Sequence, residues 1–143
     1  MKKAIVILVM GCFSKLLFAA GGSGCGYFNI SLENYTGYPC ALLAATVHSG
    51  NIVSGSVPQY VGNGEITPSV QMQQGYFSGP KIRLDLQCGN KTVTLTSQQN
   101  YCFLEAGNIS GDVITSNNIH AKYIPANGSY WYSRPGSIVW TIF

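Results

Sequence analysis

From residue 81 the chain reads KIRLDLQC, in which Ile82, Leu84, Leu86 and Cys88 alternate with Lys81, Arg83, Asp85 and Gln87. Strict alternation puts the apolar side chains on one face of a strand and the polar ones on the other. Gly89 and Asn90 then supply a tight turn into KTVTLTS, where Val93 and Leu95 alternate with threonines, so the two segments read as a hairpin. Shorter versions of this pattern predict further strands over 27–33, 41–48, 69–74, 100–106, 112–115, 119–124 and 137–143. Pro39, Pro58, Pro68, Pro80, Pro125 and Pro135 all fall between these segments, where the missing N–H does least damage. No stretch carries a helical period. Short strands with many connections imply an all-β fold, a two-sheet antiparallel β-sandwich.

The N-terminus departs from this pattern. It reads MKKAIVILVMGCFSKLLFAAGG, with two lysines, an apolar run and then small residues, which is the layout of a secretory signal peptide. Lys15 interrupts the run, leaving it too short to span a bilayer, which takes about 20 apolar residues. The reading is a leader over 1–20 and a single sandwich domain over 21–143. Two exits compete. A cut near Ala20 or Gly21 gives a secreted or periplasmic protein, whereas VMGC resembles a bacterial lipobox and would give a lipoprotein anchored through Cys12.

Removing the leader changes the charge. The whole chain carries a formal +3, but Lys2, Lys3 and Lys15 lie in the leader. What remains is Lys81, Arg83, Lys91, Lys122 and Arg134 against Glu33, Glu65, Asp85, Glu105 and Asp112, a near-neutral domain. It has no basic stripe to follow phosphates, which argues against nucleic acid as a partner.

Beyond Cys12 the cysteines are Cys25, Cys40, Cys88 and Cys102, an even number in an exported chain, so two disulfides are expected. If 27–33 turns back directly onto 41–48, Cys25 and Cys40 lie about 20 Å apart at opposite ends of that hairpin. This disfavours Cys25–Cys40 with Cys88–Cys102 and leaves the other two pairings open.

No nucleophile elbow, zinc motif, phosphate-binding glycine loop or C-x-x-C is present. His48 and His120 and the five carboxylates are the only acid–base candidates; His48 reads as the end of a strand beside SG, and His120 alternates with Lys122 on a solvent face. The expectation is a non-enzyme without metal or cofactor. Asn29, Asn34, Asn90, Asn108 and Asn127 stand in N-x-S/T contexts and read as polar surface.

The strongest site candidate is NGSYWYSRPGSIVW, with Tyr130, Trp131 and Tyr132 in a row and Arg134 close behind. If the segment is extended, Tyr130 and Tyr132 oppose Trp131, so at least one ring is left partly exposed; if not, it is a loop. Exposed tyrosine and tryptophan rings can stack on sugars or sit at a lipid interface, and Arg134 can hold a phosphate or carboxylate. Trp140, inside the alternating C-terminal run, reads as core.

The order of landmarks adds a resemblance. ENYTG, then ALLAATVHSG, SVPQYVGNGE and GYFSGPKIRLDLQCGNKTVTLTS, resembles the layout of the membrane-binding β-sandwich cytolysins of the actinoporin and aegerolysin kind over about residues 29–97. The resemblance implies a sandwich fold and affinity for lipid. It assigns no binding residue by position, because where actinoporins place a dense Tyr/Trp cluster this chain has SQQNYCFLE, with Tyr101 and Phe103. GGSGCGYF likewise cannot form the helix that actinoporins insert; aegerolysins have none.

Together these observations predict an exported binding module that recognises a cell-surface glycan or lipid headgroup through Tyr130, Trp131, Tyr132 and Arg134. An envelope-associated or host-directed protein that pairs its strand edges with another chain is the alternative. A hydrolase on a β scaffold comes third.

Overall fold

A computed structural model describes residues 24–104 and 107–143. The leader, its two competing exits and Cys12 lie outside the described residues.

After a 3-10 turn at Gly24–Gly26 come ten strands: β1 (Tyr27–Asn34), β2 (Cys40–Ser49), β3 (Asn51–Ser54), β4 (Tyr60–Val61), β5 (Val70–Gln73), β6 (Lys81–Cys88), β7 (Lys91–Gln99), β8 (Ile109–Asn117), β9 (Ala121–Ala126) and β10 (Gly136–Ile142). They form two five-stranded sheets, ordered β3-β5-β1-β10-β9 and β4-β2-β6-β7-β8. The all-β sandwich with two disulfides is therefore the observed fold. Among the described residues no helix is long and apolar enough to cross a membrane.

Alternation builds the core. Phe28, Ile30 and Leu32 of β1, Met72 of β5, and Ile138, Trp140 and Ile142 of β10 point inward from the first sheet. They meet Ile82, Leu84 and Leu86 of β6 and Val93 and Leu95 of β7 from the second. Trp140 is buried, as its alternation predicts, and its indole Nε1 donates to Ser97 Oγ at 2.8 Å, which satisfies the polar end of the ring inside an apolar layer. The indole lies so close to β8 that a Cβ on Gly111 would come within 2.5 Å of it, so only glycine fits there. On the outer face of the second sheet, Asp85 accepts from Thr94 Oγ1 at 2.6 Å and from Arg83 Nε and Nη2 at 3.1 and 3.0 Å. The Thr94 hydrogen bond, followed by those from Arg83 and its charge, holds the Asp85 carboxyl below its usual range despite partial burial.

Several expectations are corrected. β1 and β2 are not a hairpin, because they belong to opposite sheets and the chain crosses between them at 35–39. β1 pairs instead with β5 and, in parallel, with β10, so the first sheet is mixed rather than antiparallel throughout. The chain crosses again at Gly50, whose φ of 77° and close approach to the Gln73 carbonyl turn one long ribbon, β2 and β3, from one sheet to the other. Pro125 lies within β9 rather than between strands; β9 is an edge, where a missing donor is tolerated. β3 and β4 are strands that alternation does not signal.

The bridges are Cys25–Cys102 and Cys40–Cys88, one of the two pairings left open. The geometry that selects it is not the one inferred from a hairpin. Cys40 and Cys88 face each other across adjacent strands β2 and β6, and Cys102 leaves the sheet to reach the 3-10 turn. The expected strand over 100–106 is accordingly absent: residues 100–104 are loop, drawn out of register by that bridge, and 105–106 lie outside the described residues.

Candidate functional site

Strand register decides which loops share an end of the sandwich. Tyr27 pairs with Gln73, Phe28 with Gly136, Ser49 with Lys81, Lys81 with Gln98 and Gln99 with Ile109. Four segments therefore converge where β1 begins: the 3-10 turn, the loop 74–80, residues 100–104 with 107–108, and the loop 127–135.

Two buried glutamine amides and the Cys25–Cys102 bridge tie them together. Gln74 receives the Cys102 N–H on Oε1 at 2.9 Å and donates from Nε2 to the Cys102 carbonyl at 3.2 Å, mimicking a strand pair with one side chain. Its own N–H donates to the Gly26 carbonyl at 2.9 Å. Gln99 Nε2 donates to the Cys25 carbonyl at 2.6 Å. On the far side, Ile109 N–H donates to Asn127 Oδ1 at 3.0 Å and Gly24 N–H to Ser133 Oγ at 2.6 Å. The glutamine bonds are buried, where a polar group needs a partner, and they fix loop backbone that would otherwise be free to fray; Gln99 Oε1 alone is buried without a hydrogen bond among the described residues.

The ordered loops carry exposed rings at their tips. Gly75 N–H donates to the Ser78 carbonyl, closing a turn that presents Tyr76 and Phe77, the latter 91% exposed. Ser129 and Arg134 exchange backbone hydrogen bonds at 2.9 and 3.0 Å, and Ser133 adopts φ 49°, which makes Tyr130 to Ser133 the tip of a small hairpin. Trp131 and Tyr132 there are 79% and 85% exposed, while Tyr130 is half-buried with its ring edge-on to Trp131 at 5.6 Å. Tyr101, Phe103 and Leu104 complete the end, and Leu104 sits at φ 61°, a conformation that costs a bulky residue roughly 1–2 kcal/mol.

The segment 130–132 is thus a turn and not a strand, and the two-face alternation argued for an extended chain does not apply. Trp131 is exposed, and Tyr130, Trp131, Tyr132 and Arg134 do lie together. Sequence reading missed Tyr76, Phe77, Phe103 and Leu104 as members of the same end. The signal was available for the first two: GYFSGP places two aromatics between turn residues, where a core role is hard to satisfy. Among the described residues of these loops Arg134 alone is charged.

The other exposed large apolar side chains lie elsewhere: Leu43, Val47, Ile52 and Val53 along the β2–β3 ribbon, Val113 and Ile114 on β8, Ile124 on β9, and several toward the opposite end, including Tyr35 and Phe143. His48 is exposed on β2, and His120 lies against Phe143 with ring centroids 5.9 Å apart. Glu65 accepts from the Gly62 N–H, Glu33 accepts from Thr141, and Asp112 is exposed on β8. Glu105 lies outside the described residues. Asn34 corrects the reading of the N-x-S/T asparagines as surface: it is fully buried, donating from Nδ2 to the carbonyls of Tyr38, Val61 and Gly62.

A β-sandwich whose described loop residues at one end carry several exposed aromatic rings and a single charge, Arg134, is the class these features define. No family model and no curated protein matches the sequence. Among solved structures the fold is similar to that of the lipid-binding protein Nakanori, with a TM-score of 0.65 and 12% identity over 81% of this chain and 70% of that one. It is also similar to IP-1A from Alcaligenes faecalis, with a TM-score of 0.53 and 9% identity over 84% of this chain and 93% of that one. At such identities the likeness establishes the fold alone. Of what the expected resemblance implied, the sandwich fold is the part that this likeness supports.

Proposed function

We propose that this is an exported, non-catalytic module that docks on lipid bilayers through its aromatic loop end. The observation that carries the reading is the convergence of Tyr76, Phe77, Phe103, Leu104, Trp131 and Tyr132 on one end, held by Gln74, Gln99 and the Cys25–Cys102 bridge. Aromatic and apolar tips on a preordered frame insert without a further ordering cost. Tyrosine and tryptophan suit the headgroup level, phenylalanine and leucine the acyl boundary, and Arg134 a headgroup phosphate. The similarity to a lipid-binding protein agrees with this reading, and two disulfides suit an oxidising compartment. Export follows the leader expected over 1–20, whichever exit is used.

Tryptophan fluorescence offers a direct test, since Trp131 is exposed while Trp140 is buried and bonded to Ser97. Adding phosphatidylcholine or sphingomyelin–cholesterol vesicles to the mature protein should shift emission to the blue and protect one tryptophan from acrylamide. Each ring placed in the interface is worth about 1.5–3 kcal/mol, so Phe77→Ala and Trp131→Ala should each weaken vesicle binding by roughly tenfold or more. Their thermal midpoints should stay near that of the parent. Vesicle sedimentation that is absent, or unchanged in both variants, would sink the proposal.

A further inference from the structure

Glu33, Thr141 and Lys122 stand side by side on the outer face of the first sheet, on the adjacent strands β1, β10 and β9. Together with Tyr35, Ile124 and Phe143 they line an open groove of about 470 Å³, with Glu33 and Thr141 toward one side and Lys122 toward the other. That volume falls within the roughly 300–1,000 Å³ of small-molecule sites. The groove lies near the end of β1, about 20 Å along the strand from the aromatic loops.

We infer that this groove is a second binding site and that it takes a neutral pyranose of a glycan. Its chemistry is mixed in a specific way. Thr141 Oγ1 donates to Glu33 Oε2 at 2.9 Å, so the threonine presents only lone pairs to the groove while the carboxylate keeps acceptor capacity. Lys122 presents donors from the far wall, with Nζ 5.5 Å from the Phe143 ring centroid. Glu33 and Lys122 do not neutralise each other: strand β10 lies between theirs, two inter-strand spacings or about 10 Å, and the ion pair found among the described residues is Arg83–Asp85. Acceptors on one wall and donors on the other match vicinal hydroxyls, each of which both donates and accepts. The Tyr35 ring and Ile124 offer apolar surface to the C–H face of a sugar ring, and Phe143, its ring already in contact with Lys122 Nζ and His120, forms the rim. A singly charged ligand would meet a like charge on one wall, and an acyl chain would strand both charges. A neutral polyhydroxyl ligand meets no like charge and hydrogen-bonds to both groups, and a zwitterion is the competing occupant that the test must separate from it.

Ligand-observed NMR with a panel of methyl glycopyranosides, without lipid, tests the site apart from the membrane reading. At least one pyranoside should receive saturation at the protons of one ring face, with millimolar affinity. Glu33→Gln and Phe143→Ala should each weaken that binding by about fivefold or more while keeping the parent's thermal midpoint. Pyranosides that receive no saturation, or binding unmoved by both variants, would overturn the inference. So would phosphocholine binding in their place with the same sensitivity, which would make the groove a zwitterionic headgroup site. If binding is found, vesicles bearing the matching glycolipid and the free oligosaccharide distinguish a lipid-borne glycan from a soluble one.

Discussion

Asn34 shows how one side chain can hold a sheet crossing. Residues 35–39 carry the chain from β1 in one sheet to β2 in the other, and such a passage has no ladder to satisfy its carbonyls. Asn34 serves it from both ends of its amide: Nδ2 donates to the Tyr38 carbonyl at 2.8 Å and, with its two N–H bonds shared, to the Val61 and Gly62 carbonyls beside the passage at 3.1 and 3.3 Å, while Oδ1 accepts from the Thr36 N–H at 3.0 Å and its hydroxyl at 2.8 Å. Removing the amide strands several buried polar groups at once, which costs about 1–3 kcal/mol for each one left unsatisfied. Asn34→Ala should therefore lower unfolding free energy by roughly 3 kcal/mol, measured by urea denaturation, and Asn34→Asp should lose the donated bonds as well. A change under 0.5 kcal/mol would mean that water replaces the side chain without loss. Gln74 is the same device at the opposite end, where a glutamine amide stands in for a strand partner through both its ends.

Among the elements, the two disulfides have separable jobs. Cys40–Cys88 links strands already paired in the ladder, whereas Cys25–Cys102 anchors a loop that has no strand of its own. Their sequence separations of 48 and 77 residues give each roughly 4 kcal/mol of unfolded-state restriction in the loop-entropy model. Replacing either pair by serine should thus lower stability similarly. Only loss of Cys25–Cys102 should also loosen the aromatic end, and it should cut vesicle affinity severalfold under conditions where both variants remain folded; equal affinities would assign that bridge to stability alone. This division explains what the sequence could reveal. KIRLDLQC and KTVTLTS announce β6 and β7 because each buries one face or lies centrally, so local alternation and tertiary burial agree. NYCFLEA alternates as well as a strand does, yet Cys102 must leave the sheet to meet Cys25, and a long-range covalent constraint overrides the local pattern. The parallel β1–β10 pair depends on contacts more than 100 residues apart in sequence, which no local period encodes. The site was half legible for the same reason. Tyr130, Trp131, Tyr132 and Arg134 adjoin in the chain, but only the sheet order carries Tyr76, Phe77 and Phe103 to the same end.

For the whole molecule, charge distinguishes the proposed docking from the commoner electrostatic route to membranes. A polybasic surface gains about 1 kcal/mol per Lys or Arg near an anionic leaflet, and that gain is screened within a Debye length of about 10 Å at 0.1 M salt. Here Lys81, Arg83, Lys91 and Lys122 lie on strands, offset in number by Glu33, Glu65, Asp85 and Asp112, and Arg134 is the single charge among the described loop residues of the aromatic end. Arg83 is further committed to Asp85 on the outer face of the second sheet. Binding driven by Phe77, Phe103, Leu104 and Trp131 should scarcely depend on ionic strength, since burial of apolar area is not screened. Vesicle titrations of the mature protein at 50 and 500 mM NaCl should therefore give dissociation constants within about threefold of each other on zwitterionic lipid, the exposed Arg134 being the one term to weaken among the described loop residues. Adding anionic lipid should change affinity just as little. A tenfold or greater loss in high salt would show that charge carries the encounter, and the aromatic end would then be a surface in search of a different partner.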